Sequence, residues 1–105
     1  MNMKQERINE MCLDVYSNAF SEYLDCVLTV KQFRRCTADV YETTGYFILR
    51  SYNTFVAVIE KSTGTCYDIL RVAYGYTATS AQHIAKFSND YGNGKRYTWR
   101  EIPHR

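Results

Sequence analysis

From Ile8 onward, apolar positions recur as Ile8, Met11, Cys12, Val15, Ala19, Phe20, Tyr23, Leu24, Val27 and Leu28, the three-and-four spacing of one helical face. Lys4, Glu6, Arg7, Glu10, Asp14, Asn18, Ser21, Glu22 and Asp25 fill the other side. The pattern predicts a half-buried helix that needs a surface to lie against. Beyond Leu28, the stretch Thr29-Val30-Lys31-Gln32-Phe33-Arg34-Arg35-Cys36 either continues that helix or restarts it with Thr29 as N-cap. Residues 1–40 therefore read as a helical segment, and Asp39 and Glu42 fall in a linker behind it.

Around Thr43-Thr44-Gly45 the period changes. Tyr46-Phe47-Ile48-Leu49-Arg50 and Phe55-Val56-Ala57-Val58-Ile59 are rich in aromatic and β-branched residues, and Ser51-Tyr52-Asn53-Thr54 supplies turn chemistry between them. Lys61-Ser62-Thr63-Gly64-Thr65 turns the chain into Cys66-Tyr67-Asp68-Ile69-Leu70-Arg71, giving three sequential strands in an antiparallel meander. Thr79 or Ser80 is placed to cap a short helix with Ile84 and Phe87 on its buried side and Gly92 as its stop. Asn93-Gly94 then turns into Arg96–Ile102, an alternating final strand ended by Pro103.

The expected fold is α+β: an N-terminal helix or helix pair, a three-stranded meander, a short helix and a last strand, with the helices on one face of the sheet. Its core is drawn from Ile8, Val15, Phe20, Leu24, Phe47, Leu49, Val56, Val58, Ile69, Ile84, Phe87 and Trp99. At 105 residues one core and one domain are expected, residues 45–102 forming the sheet with its helix.

Composition narrows the class. Apolar residues at 46% and charged residues at 23% belong to a chain that folds by itself. Ten tyrosines and five phenylalanines favour a surface suited to contact, because Tyr packs a ring while keeping its hydroxyl wet. A net charge of +2 fits neither a nucleic-acid mimic nor a DNA-coating protein. Cys12, Cys26, Cys36 and Cys66 contain no CxxC pair, and the charged N-terminus lacks a secretory signal, so the expectation is free thiols, no metal, no cofactor and a bacterial cytoplasm. No apolar run is long enough to span a membrane.

The segments SYNTFVA, GTCYD and YTATSAQHIAKF resemble a set of small proteins encoded by bacteriophages and other mobile elements, in which a SYNTxVA strand precedes a TxTSxxHIxxF helix. The resemblance spans roughly residues 46–91 and implies a genetic context and a fold core while transferring no catalytic residue.

Each candidate constellation has a plain reading beside it. Ser51 and Asn53 shape a turn and Thr79 or Ser80 caps a helix; alternatively Asn53, Thr79, Ser80 and His83 form an anion or ligand pocket at the helix N-terminus. His83 is a packing residue by default, and His104 is the only second histidine. No nucleophile with a base and an orienting group is legible, nor a pair of carboxylates, so the chain reads as a binder rather than an enzyme. Lys95-Arg96-Tyr97-Thr98-Trp99-Arg100 has the chemistry to contact phosphates and stack on bases, or to protect a sheet edge. The long apolar stripe of the first helix exceeds what a small sheet covers and offers an interface to a second copy or another partner.

With the mobile-element resemblance, these features point to an accessory protein of the anti-CRISPR kind that inhibits a host defence or nucleic-acid machine by occlusion. Its partner would be a host protein such as a CRISPR effector nuclease. Tyr52, Tyr74, Tyr76, Arg96, Trp99 and Arg100 are the expected anchors, Tyr, Trp and Arg being the usual ones. The alternative is a nucleic-acid-binding factor that uses the C-terminal tract directly.

Overall fold

A computed structural model describes residues 4–34, 37–73 and 78–101. Helix α1 (Gln5–Asp25) is followed by strands β1 (Thr29–Gln32), β2 (Ala38–Glu42), β3 (Tyr46–Ser51), β4 (Thr54–Glu60) and β5 (Cys66–Asp68). Helix α2 (Leu70–Ala73), helix α3 (Ala78–Tyr91) and strand β6 (Arg96–Thr98) complete the chain. The α+β class holds, but the sheet has six strands in sequential order, with β1 to β5 antiparallel and β6 parallel to β5.

The three-stranded meander is thus extended by two strands at its N-terminal side. Where the sequence offers a second helix or a continuation of the first, Thr29–Gln32 is an edge strand, and the supposed linker around Asp39 and Glu42 is its partner β2. Cys26 ends α1 in an extended conformation, and Leu28 N–H then donates to Glu42 O at 2.8 Å, starting the ladder. The alternation in β2 was masked by its charges: Ala38 and Val40 point into the core, Asp39 and Tyr41 occupy the intervening positions, and Glu42 ends the strand. The run after the Gly64 turn is strand only as far as Asp68, because Asp68 Oδ1 accepts the N–H of Leu70 and starts α2. Thr79 and Ser80 lie inside the first turn of α3 rather than at its cap.

The two main helices pack on opposite faces of the sheet, a correction to the single-face arrangement. Phe33, Ala38, Val40, Leu49, Ala57, Ile59 and Cys66 meet Ile84 and Phe87 of α3. Ile48 and Val58 meet Ala19 of α1, and Tyr67 and Ile69 meet Cys12. A strand that is apolar at successive positions, as β3 and β4 are, must be covered on both sides. An irregularity at Leu49/Arg50 lets Val56 and Ala57 share the α3 face although they are neighbours in sequence.

Of the expected core, Leu49, Val56, Val58, Ile69, Ile84 and Phe87 are buried, while Ile8, Val15, Phe47 and Trp99 are half-buried against it. Phe20 and Leu24 are exposed, because with Leu13 they lie on the flank of α1 beside the stripe of Cys12, Ala19 and Tyr23 that meets the sheet.

Candidate functional site

Three regions carry chemistry. The first joins the β3–β4 turn to α3: buried Ser51 Oγ lies 2.8 Å from Ser80 Oγ and 3.0 Å from His83 Nδ1. A hydroxyl can donate once and accept twice, so one side chain ties the turn to the helix. Burial, with Lys86 nearby, holds the imidazole below its ordinary value, so His83 is neutral at pH 7. The network joins Ser80 and His83, whereas Thr79 is exposed and exposed Asn53 accepts a hydrogen bond from Arg50 at 3.1 Å. Tyr52 projects from the turn with φ of 55°, a left-handed conformation that costs a non-glycine residue about 1–3 kcal/mol. Its ring lies 6.4 Å from that of His83.

The second region is apolar. Leu13 (42%), Phe20 (38%) and Leu24 (68%) recur at seven- and four-residue spacing on α1, and Leu28 and Val30, both 53% exposed, follow in and before β1. An aromatic cluster adjoins them through Phe20: Tyr16 stacks on Phe20, Phe20 on Tyr23, and Tyr23 meets Tyr41 and Phe55 edge-on at 5.6 and 4.9 Å. Val30 is directly opposite Tyr41 in the ladder, so both project to the α1 side. The helix covers β3, β4, β5 and β6 and reaches β2 through Tyr23 on Tyr41, while β1 is exposed at every position. Glu6, Glu10, Asp14 and Asp25 on the same helix are exposed.

The third region lies on the opposite face. Helix α3 lies mainly over β3 and β4, and a cleft of about 340 Å³ remains between it and the last two strands. Asp68, Arg71, Gln82, Arg96, Thr98 and Arg100 line it, with Ala78, Ala81 and Ala85 as its smooth helical wall. Asp68 is buried, and desolvation raises its carboxyl above the usual value against the opposing pull of Leu70 N–H, Arg96, Arg71 and Arg100. Among the described residues no cation closes an ion pair with it.

Two side chains of α1 hold the strand that carries these arginines. Gln5 Nε2 donates to Thr98 O at 2.9 Å, and buried Asn9 both donates to Arg100 O (2.8 Å) and accepts from Arg100 N–H (3.0 Å). Alternation splits the basic and aromatic tract: Arg96 and Thr98 face the cleft, whereas Tyr97 and Trp99 pack toward Cys12 on the α1 side. Arg96 and Arg100 are brought together, while Trp99 and Tyr52 lie elsewhere; Tyr74 and Tyr76 fall outside the described residues. Asp68, Arg71 and Asn9 had no signal in the sequence, because each acquires its role through contacts across the sheet.

Cys12 and Cys66 are buried and their thiols are pushed up to about 12, mainly by desolvation, which makes them unreactive; Cys26 is exposed. Among the described residues no group of three His, Cys, Asp or Glu side chains could hold a metal ion, and no helix is long and apolar enough to cross a membrane.

One family model, DUF8033, described as a family of unknown function, matches residues 26–102. The matched stretch begins directly after α1, so it takes in the sheet with α2 and α3. No curated protein and no solved structure matches the chain.

Proposed function

We propose, starting from the chain's membership of this family of unknown function, that the protein works by binding and occluding a protein partner rather than by catalysis. The observation that carries the reading is the apolar flank of α1 and the start of β1, where five large side chains stand in solvent and Phe20 among them stacks on Tyr16 and Tyr23. Scattered exposed apolar residues are ordinary, but several on one helix flank and the edge strand that follows it mark an interface. Aromatic side chains are the usual anchors of such surfaces.

Charge selects the partner. Residues 4–25 hold five acids (Glu6, Glu10, Asp14, Glu22, Asp25) against two bases (Lys4, Arg7), a net −3. With +2 for the whole chain, the rest carries +5. A surface with an apolar ridge and a basic rim complements this helix, as nucleic-acid-handling enzymes present. A second copy would set acid against acid. The mobile-element resemblance, the Tyr-rich composition and this face together support an inhibitor of a host defence or nucleic-acid machine, of the anti-CRISPR kind.

The test is affinity capture from nuclease-treated bacterial lysate, comparing the wild-type chain with Leu24→Glu, followed by assay of the captured enzyme. Leu24 is exposed, so the variant keeps the fold. A partner retained after nuclease treatment, inhibited by the wild type and lost with Leu24→Glu, is the expected result. Equal capture by both proteins would remove the proposal, and a sedimenting dimer abolished by Leu24→Glu would reassign the face to self-association.

A second reading, a nucleic-acid-binding accessory factor, rests on one observation: Arg71, Arg96 and Arg100 line one cleft. Oligonucleotide binding that weakens steeply with added salt is its signature.

A further inference from the structure

The cleft over β5 and β6 is more specific than a basic surface. Three guanidinium groups and one carboxylate line it, a net charge of +2 if Asp68 is ionised. Guanidinium groups bind phosphate and carboxylate oxygens bidentately, and a phosphate monoester carries nearly two negative charges at neutral pH. A phosphodiester carries one. The cavity of about 340 Å³ is at the small end of ligand pockets, a size suited to one nucleotide rather than a length of strand.

Asp68 is the discriminating group. Its carboxylate lies in the cleft floor, accepts the N–H of Leu70 at 2.9 Å, and forms no ion pair with Arg96 or Arg100. A carboxylate has about four acceptor positions, so capacity remains toward the cavity. In a site meant for bare phosphate such a group would only repel. Beside three cations it serves a ligand that brings a donor, a hydroxyl or an amino group, together with its phosphate. Asn9 positions the arrangement from the far side of the sheet by fixing the backbone of Arg100 at both its N–H and its carbonyl.

We infer that the cleft between α3 and β5–β6 is a binding site for a nucleoside monophosphate, in which Arg96, Arg100 and Arg71 take the terminal phosphate and Asp68 accepts a hydrogen bond from the sugar or base. The same group comes from two sources, a free mononucleotide or the phosphorylated end of a nucleic-acid strand. The site lies across the sheet from the apolar face and deepens the nucleic-acid reading without depending on the partner-binding one.

The experiment is a titration of the folded chain, followed by amide chemical shifts, with adenosine 5′-monophosphate, adenosine, inorganic phosphate, and an oligonucleotide with and without a 5′-phosphate. The expected result is shifts at Asp68, Arg96 and Arg100 with the monophosphate and not with adenosine. Affinity should fall about tenfold or more in Arg96→Gln/Arg100→Gln, the scale of a lost charge-assisted pair. Asp68→Asn should tighten inorganic phosphate while narrowing the preference for the monophosphate over it. Tighter binding of the phosphorylated oligonucleotide than of the monophosphate assigns the strand end; the reverse assigns the free nucleotide. Equal response to adenosine and its monophosphate, or no response to either, overturns the inference. Salt-dependent oligonucleotide binding indifferent to the 5′-phosphate overturns it too, while leaving the nucleic-acid reading in place.

Discussion

Ser51 shows how much one small side chain can decide. Its hydroxyl serves both Ser80 and His83 in a fully buried position, so removing it takes from His83 Nδ1 a partner at a site that water hardly reaches. Ser51→Ala is expected to cost about 1–3 kcal/mol, the penalty for a buried group left unsatisfied, read as a lower urea midpoint with unchanged slope. The pH dependence has a definite sign. His83 titrates below its ordinary 6.5 when folded, so the unfolded chain takes up its proton first as pH falls. Stability is therefore present above 6.5 and declines as pH drops from there toward the lowered folded value. Asp68 acts in the opposite sense at more acid pH, because its folded value is raised from 3.8 and the folded state takes the proton first. Urea midpoints of the wild type and of His83→Gln across mildly acid pH should separate the two: the variant loses the decline below 6.5.

At the scale of elements, what was legible followed from pattern strength. Helix α1 was written in a three-and-four period over most of its length, and β3 and β4 in uninterrupted apolar and β-branched runs. Strands β1 and β2 were not, because β1 is exposed at every position and β2 carries Asp39 between its buried residues and Glu42 at its end. Their strand character comes from the ladder: β2 pairs with β3, and β1 with β2. The apolar stripe announced α1 but overestimated its core, since period alone cannot say which flank of a wide stripe the sheet covers. Arg96 and Arg100 were legible as a basic tract; that Tyr97 and Trp99 would turn to the other face follows from the two-residue period once β6 is placed in the sheet. The joint between α3 and the β4–β5 turn rests on close backbone approach: a Cβ at Gly92 would stand 2.5 Å from Gly64 O. Gly92→Ala should destabilise the chain by about 1–3 kcal/mol, as overpacking does, with a corresponding fall in Tm.

The whole molecule is a sheet with two unlike faces. One bears an acidic helix with an aromatic and aliphatic surface at its C-terminal end, and the other bears α3 and an arginine cleft between that helix and the last two strands. Under the two proposals each face has separate work. The most direct test of that division is calorimetric titration of the captured protein partner against three chains: wild type, Leu24→Glu and Arg96→Gln/Arg100→Gln. The account predicts that Leu24→Glu weakens the complex by a hot-spot margin of about 2 kcal/mol or more, while the arginine variant binds as the wild type does. Full affinity in Leu24→Glu with loss in the arginine variant would contradict it and place the partner on the cleft.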